Sequence, residues 1–149
     1  MIRKYITEDL EQLISLWLQS NIEAHSFIDA KYWESNMKYM YEVLPKATIW
    51  VYVENQVILG FIGLVDSYIA GLFVDSSCRS SGIGRQLLLE VKRVHKTLSL
   101  AVYKRNVRAS QFYLREGFNI ESERVDEATG ELELYMRWKK EVDLLACLK

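Results

Sequence analysis

Residues 72–91 constrain this chain more than any other stretch. Leu72, Phe73 and Val74 close an apolar, strand-like run, while Ile83, Leu87, Leu88 and Val91 recur at the spacing of a helix packed on one face. Between them lies a polar loop, Asp-Ser-Ser-Cys-Arg-Ser-Ser-Gly-Ile-Gly-Arg, which puts Gly82 and Gly84 at the first turn of that helix. A helix start carries unpaired backbone N–H groups and the positive end of the macrodipole, and glycine lets an anion approach with no Cβ in the way. Arg79 and Arg85 bracket the loop with fixed positive charge. A Gly-x-Gly pair is a weak signal alone and also suits a plain strand-to-helix turn. The dinucleotide fingerprint needs a third glycine where Leu87 stands. The nucleoside-triphosphate loop needs Gly-Lys followed by Ser or Thr where Gly84-Arg85-Gln86 stands, so neither pattern fits.

At 149 residues, half apolar and a quarter charged, the chain is expected to be one soluble globular domain with a core of its own. Nineteen basic against twenty acidic residues give a net charge of −1, which offers no general attraction for nucleic acid or an anionic membrane. The longest apolar run, Val57 to Val65, is well short of the roughly 20 residues that span a bilayer, and no basic-then-apolar leader follows Met1. Cys78 and Cys147 have neither disulfide nor metal spacing, which suits a reducing cytoplasm. With only His25 and His95 as imidazoles, no metal is expected.

Read in order, Met1–Ile6 is β-prone, and Thr7 can cap a helix with Glu8 and Asp9 in its first turn and Leu10, Leu13, Ile14, Trp17 and Leu18 on its apolar face. A linker through Asn21, Glu23, His25 and Ser26 leads to Asp29. That residue can cap a second helix carrying Tyr32, Trp33, Met37, Met40 and Tyr41, which Pro45 helps to end. From Thr48 the pattern turns β-branched: a hairpin about Glu54-Asn55-Gln56, a third strand from Tyr68 to Val74, then the helix from Gly84 to near His95 and a strand from Leu98 to Val102. Asn106–Glu116 reads as a helix stopped by Gly117, and Phe118–Val125 with Glu131–Trp138 as a closing hairpin. Residues 1–138 form the expected domain. The tail, 139–149, carries Val142, Leu145 and Leu148 at helical spacing and can dock on the domain, pair with a second subunit, or fray.

A second pattern then gives the loop a context. Residues 79–84 read Arg-x-x-Gly-x-Gly, and residues 106–118 read Asn-Val-Arg-Ala-Ser-Gln-Phe-Tyr-Leu-Arg-Glu-Gly-Phe. Together, in this order, they resemble the pyrophosphate loop and the Asn-x-x-Ala-x-x-Phe-Tyr-x-x-x-Gly-Phe segment of the GNAT superfamily of acyl-coenzyme A dependent N-acyltransferases, and most resemble its small bacterial members of the YiaC type. The resemblance implies an α/β (α+β) fold: a mixed, mostly antiparallel sheet of six or seven strands with helices on both faces, in the order β-α-α-β-β-β-α-β-α-β-β. The sheet would splay between the strands ending near Val74 and near Val102. It also implies acetyl-coenzyme A as acyl donor, with no metal, and a primary amine as acceptor in a direct transfer: a small molecule, a protein lysine or a protein N-terminus. The backbone of Leu72, Phe73 and Val74 would hold the pantetheine arm and thioester oxygen, and the amides of Arg79, Ser80, Ser81, Gly82, Ile83, Gly84 and Arg85 the pyrophosphate. Asn106 would bond the coenzyme's amide arm and can also cap its helix. Lys104, Arg105 and Arg108 read as a solvated face, with the 3′-phosphate as a secondary reading.

Tyr113 matches the tyrosine that protonates the departing thiolate; with an ordinary pKa of about 10 it keeps a proton to give at neutral pH. The base is not assigned by the pattern. Some relatives carry a glutamate five residues before the motif asparagine, where this chain has Ala101, and no carboxylate falls between Tyr68 and Val74. Tyr68, Tyr103, His25 and Glu23 are the candidates, directly or through water. His95 reads as complementing a helix C-terminus. Two readings follow: an active N-acetyltransferase, which retention of Tyr113 favours, or a non-catalytic acyl-coenzyme A binding module, which the absent carboxylate suggests.

Overall fold

A computed structural model of the chain describes residues 1–141; the expected role of the tail at 142–149 lies outside them. Seven strands make one sheet in the order β1-β2-β3-β4-β5-β7-β6. They are β1 (Ile2–Lys4), β2 (Thr48–Glu54), β3 (Val57–Val65), β4 (Tyr68–Val74), β5 (Thr97–Tyr103), β6 (Asn119–Val125) and β7 (Leu132–Lys139). Five α-helices accompany them: α1 (Leu10–Ala24), α2 (Ala30–Ser35), α3 (Met37–Val43), α4 (Ile83–Val94) and α5 (Val107–Arg115). All pairings are antiparallel except β4 with β5. Helices cover both faces, as the resemblance implies.

Local chemistry explains most of the chain's turns. Asn55 and Gln56 take φ of 50° and 68°, the pair of left-handed residues that a tight hairpin with right-twisted strands requires. Gly117, at φ 92°, ends α5 in the left-handed cap conformation. On one face, α1 and α2 bury Leu13, Ile14, Trp17 and Trp33 against Ile49, Val51 and Phe61, with Met37, Met40 and Tyr41 of α3 partly buried beside them. On the other, α4 sets Ile83, Leu87, Leu88 and Val91 against Ile62, Leu64, Leu98, Leu100 and Met136. Gly60 permits this second approach: a Cβ there would stand 3.0 Å from both Ile83 Cγ2 and the Phe73 carbonyl oxygen.

Three expectations about the N-terminal half are corrected. Thr7 caps nothing with its side chain; Thr7–Asp9 is a 3-10 turn, and buried Asp9 accepts from the Ile6 N–H at 2.9 Å and from both Arg3 terminal nitrogens at 2.8 and 2.9 Å. Arg3 and the Ile6 amide draw the Asp9 carboxyl below its ordinary value, so the acid works as an ion-pair anchor rather than a dipole partner. The linker begins later than expected, because α1 runs through Asn21 and Glu23 to Ala24 and His25 is its C-cap. The second helix is two helices, broken at Asn36. The Asn36 Nδ2 donates to the Tyr32 carbonyl at 2.7 Å and Ser35 Oγ to the same oxygen at 2.9 Å, a local competition with the helix ladder. Asp29 does cap α2, accepting from Lys31 N–H at 2.9 Å.

The functional consequence lies at β4 and β5. These parallel strands are joined at one residue pair, Tyr68 with Ser99, and beyond it toward Val74 and Tyr103 they part. Backbone groups that a sheet would normally pair are thereby freed along the opening.

Candidate active site

A cleft of about 800 Å³ lies at this opening. The C-terminal end of β4, the loop into α4, the first turns of α4 and α5, and the C-terminal end of α1 with His25 line it. Leu72, Phe73, Val74, Arg79, Ser80, Gly82, Ile83, Gly84, Arg85, Asn106 and Tyr113 all border it. Ser81 does not, and its hydroxyl donates to the Cys78 carbonyl, toward which its N–H also turns at 3.4 Å. That amide is therefore engaged inside the loop rather than offered to a ligand.

The loop is held open from within. Asp75 accepts from the N–H and hydroxyl of Ser77 at 2.9 and 2.6 Å, bonds that draw its carboxyl down, and Ser80 and Gly82 adopt φ of 67° and 86°. Gly82 caps α4, whose first internal bond runs from Gln86 N–H to Gly82 O at 3.0 Å. The N–H groups of Ile83, Gly84 and Arg85 lie ahead of that bond and have no helical acceptor. Two left-handed residues followed by a helix start make a concave set of amide donors, a nest for an anion. A Cβ on Gly84 would sit 3.6 Å from Phe112 and Val74, ordinary contact, so the protein's own packing does not demand glycine there. A Cβ would instead take up space between two residues that line the cleft, Phe112 and Val74.

Charge around the cleft is mixed. Arg79 meets Glu23 at 3.5 Å and Arg85 meets Glu116 at 3.3 Å, while Arg108 and Arg115 border the cleft with no acidic partner among the described residues. A polyphosphate group fits this donor set: free amides at its centre, guanidinium groups at its rim. Among the described residues no group of three His, Cys, Asp or Glu side chains could hold a metal ion, and no helix is long and apolar enough to cross a membrane.

Tyr113 stands deeper, 7% exposed and edge-on to Phe112 and Phe118 at 5.1 and 5.4 Å. Burial raises its pKa, so the phenol holds its proton at neutral pH. Asn106 Oδ1 accepts from Ala109 N–H at 3.3 Å, capping α5, and its Nδ2 lies 3.2 Å from His25 Nε2. Since Nδ2 can only donate, the His25 Nε2 accepts and the ring proton sits on Nδ1, which is buried without a partner among the described residues. His25 stacks on Trp33 and meets Tyr103 edge-on, both at 5.2 Å. Burial pushes its pKa down, with the nearby Asn21 carbonyl acting weakly the other way. The imidazole is neutral and fastened between α1 and α5.

Two of the other base candidates, Tyr103 and Glu23, are also committed. Tyr103 donates to Asp126 Oδ2 at 2.5 Å, and burial plus that carboxylate raise its pKa. Burial also raises Tyr68, and Glu23 is paired with Arg79. His95 Nδ1 sits 2.7 Å from the Val91 carbonyl, as a residue serving a helix C-terminus should. A carboxylate that sequence reasoning passed over, Glu133, lies on β7 directly across from Tyr103. It is half-buried, and burial and Asp126 raise its pKa against the pull of Arg124. Strand alternation could have grouped it with Tyr135 and Arg137, but nothing local says that β7 lies beside β5.

The profile of the acetyltransferase (GNAT) domain family matches residues 45–120. The chain belongs to the GNAT acetyltransferase family. It is 34% identical to the peptidyl-lysine N-acetyltransferase YiaC of Escherichia coli over 122 residues, 80% of this chain and 84% of the relative. Peptidyl-lysine N-acetyltransferase YjaB of the same organism is 31% identical over 120 residues, 80% of this chain and 82% of its own. The solution structure of apo YjaB superposes with a TM-score of 0.82 at 28% identity, covering 93% of this chain and 96% of that one. An aminoglycoside 6′-N-acetyltransferase complexed with coenzyme A, at 16% identity, shares the fold with a TM-score of 0.75 over 96% of this chain and 99% of its own. This GNAT chain is thus an acyl-coenzyme A dependent N-acetyltransferase, and the non-catalytic reading of its fold is the less favoured one.

Proposed function

We propose that the enzyme moves the acetyl group of acetyl-coenzyme A directly to the side-chain amine of a protein lysine, with both substrates bound at the β4–β5 opening. The observation that carries this reading is that an amide nest at Gly82–Arg85 and the Tyr113 hydroxyl, which has no hydrogen-bond partner among the described residues, border one cleft. The free amides of Ile83, Gly84 and Arg85 hold the pyrophosphate, with Arg79 and Arg85 neutralising it. Leu72, Phe73 and Val74 offer backbone groups to the pantetheine arm and orient the thioester oxygen. That hydrogen bond strengthens as negative charge develops on the oxygen, which lowers the barrier to attack. Tyr113 donates its proton to the leaving thiolate as the carbon–sulfur bond breaks. Asn106, held by Ala109 and His25, fixes the entrance side of α5.

The lysine acceptor is supported by the names of the two relatives, both peptidyl-lysine N-acetyltransferases. Thiol release from acetyl-coenzyme A is the test, measured with lysine peptides, peptides bearing only a free N-terminus, a polyamine and an aminoglycoside. Lysine peptides should give the highest kcat/KM. Release no faster than hydrolysis with every amine would overturn catalysis, and preference for another amine would overturn the acceptor.

A further inference from the structure

We propose that the Glu133 carboxylate is the proton acceptor for the incoming amine, reached on the sheet face opposite α4 and α5. The assignment deepens the proposed function and rests on it. Its starting point is a vacancy in the sequence: Ala101 stands on β5 where a carboxylate could serve the opening. Cross-strand partners in an antiparallel pair lie on the same face, and the pairs here are Tyr135 with Ala101 and Glu133 with Tyr103. Tyr103 packs against the core beneath α1, α2 and α3, so Glu133 and Ala101 both belong to that face. Diagonal neighbours across such a pair are about 7–8 Å apart, within reach of long side chains. Glu133 therefore brings a carboxylate from the next strand to the place Ala101 leaves bare.

The geometry also separates acid from base. Tyr113 comes from α5 on one face of the sheet, and Glu133 faces the other. Where β4 and β5 part, an amine arriving from the Glu133 side meets a thioester whose sulfur faces Tyr113. Glu133 has no hydrogen-bond or ion-pair partner among the described residues, whereas the neighbouring acid is fully engaged: Asp126 accepts from Tyr103, Thr129 and the Ala128 N–H. The groups facing Glu133 are Tyr103 from β5, Tyr68 from β4, Arg124 from β6, Tyr135 from β7, Asp126 from the β6–β7 loop and Tyr32 from α2. Arg105 and Glu131, paired at 3.5 Å, flank them. Aromatic rings and two acids around an opening suit an alkylammonium group.

The protons balance as follows. Glu133 takes one proton from the ammonium, directly or through water, and passes it to solvent. The freed nitrogen attacks the thioester carbon; the C–N bond forms, the C–S bond breaks, and Tyr113 protonates the sulfur. The second proton leaves the nitrogen as the amide forms, and solvent restores the Tyr113 phenol.

The test is E133Q, with E133D beside it, assayed for acetyl transfer to a lysine peptide from pH 5 to 10, with coenzyme A affinity measured by calorimetry. For E133Q, kcat/KM should fall roughly 10²-fold or more, the usual scale for a lost general base. Its acidic limb should move to follow the free amine, and coenzyme A affinity should stay within about twofold. E133D should recover part of the rate and restore the limb. An E133Q enzyme that binds coenzyme A and keeps the rate and pH profile of the parent overturns the assignment alone. A parent that acetylates no amine overturns the proposed function and this assignment together. If E133Q fails to bind coenzyme A, E133D decides: a kcat/KM equal to that of the parent overturns the assignment, and a reduced kcat/KM with the acidic limb of the parent supports it.

Discussion

The two sides of the β4–β5 opening are built by different means. The side toward α4 and α5 presents main-chain amides from consecutive residues, Ile83 to Arg85, placed by one loop and one helix start. The side toward α1, α2 and α3 is made of side chains, Tyr32, Tyr68, Tyr103, Asp126 and Glu133, each from a different element. A fixed polyanion can be held by backbone geometry that a short stretch encodes. On the proposed reading, the amine is met by side chains that only the assembled sheet brings together. The first side should thus be sensitive to glycine and cap chemistry, and the second to single polar groups.

Tyr113→Phe should break the comparison most severely, because it removes the only proton the first side supplies to chemistry. Turnover should drop roughly 10²- to 10⁴-fold while coenzyme A affinity stays unchanged. Rapid-quench measurement of the acetyl-transfer step is the check, and an unaltered step would remove the phenol from the reaction. Gly84→Val comes next. Its Cβ has room, but the branched methyls project among the cleft walls, so coenzyme A should bind at least about tenfold more weakly, about 1.4 kcal/mol. Circular dichroism on the same sample would show that the fold persists, and unchanged calorimetric affinity would move the pyrophosphate off this loop.

Tyr103→Phe addresses the other side. It strips Asp126 of one donor, a loss of about 1 kcal/mol, so KM for the lysine peptide should change about fivefold with coenzyme A binding untouched. A change in coenzyme A affinity instead would show that the two sides are not separable. The smallest effect is expected from His25→Gln. The His25 pKa is lowered in the folded state, so the unfolded chain takes up the proton first as pH falls below 6.5, and stability present above that value is lost on acidification. The parent's thermal midpoint should therefore decline more steeply between pH 6.5 and 5 than that of the variant. Equal slopes would mean that the buried imidazole carries no such linkage.

How much was legible in advance follows the same division. The strand-loop-helix unit at 72–91 and the capped helix at 106–116 are local: periodicity, two glycines and an asparagine act within a few residues of one another, and both elements stand as read. The break at Asn36 was missed because apolar spacing continues through it; a side chain bonding back to the Tyr32 carbonyl decides it. Ser81 was assigned with its neighbours, yet its amide and hydroxyl turn inward to Cys78, a choice made by loop closure.

By itself the sequence determined the family, the order of elements apart from the break at Asn36, and the strand-loop-helix unit at 72–91, because these depend on interactions between residues close along the chain. Tertiary structure alone decided that β7 lies between β5 and β6, and hence that Glu133 stands across from Tyr103 and beside the bare position at Ala101. It also decided that His25 is buried against Trp33 and bonded by Asn106 rather than free on a linker. Residues 25 and 106 meet, and residues 101 and 133 come to one face of neighbouring strands, only after the sheet has formed. The pairing that unites them is set by total core burial and strand register, which no single stretch of the chain carries.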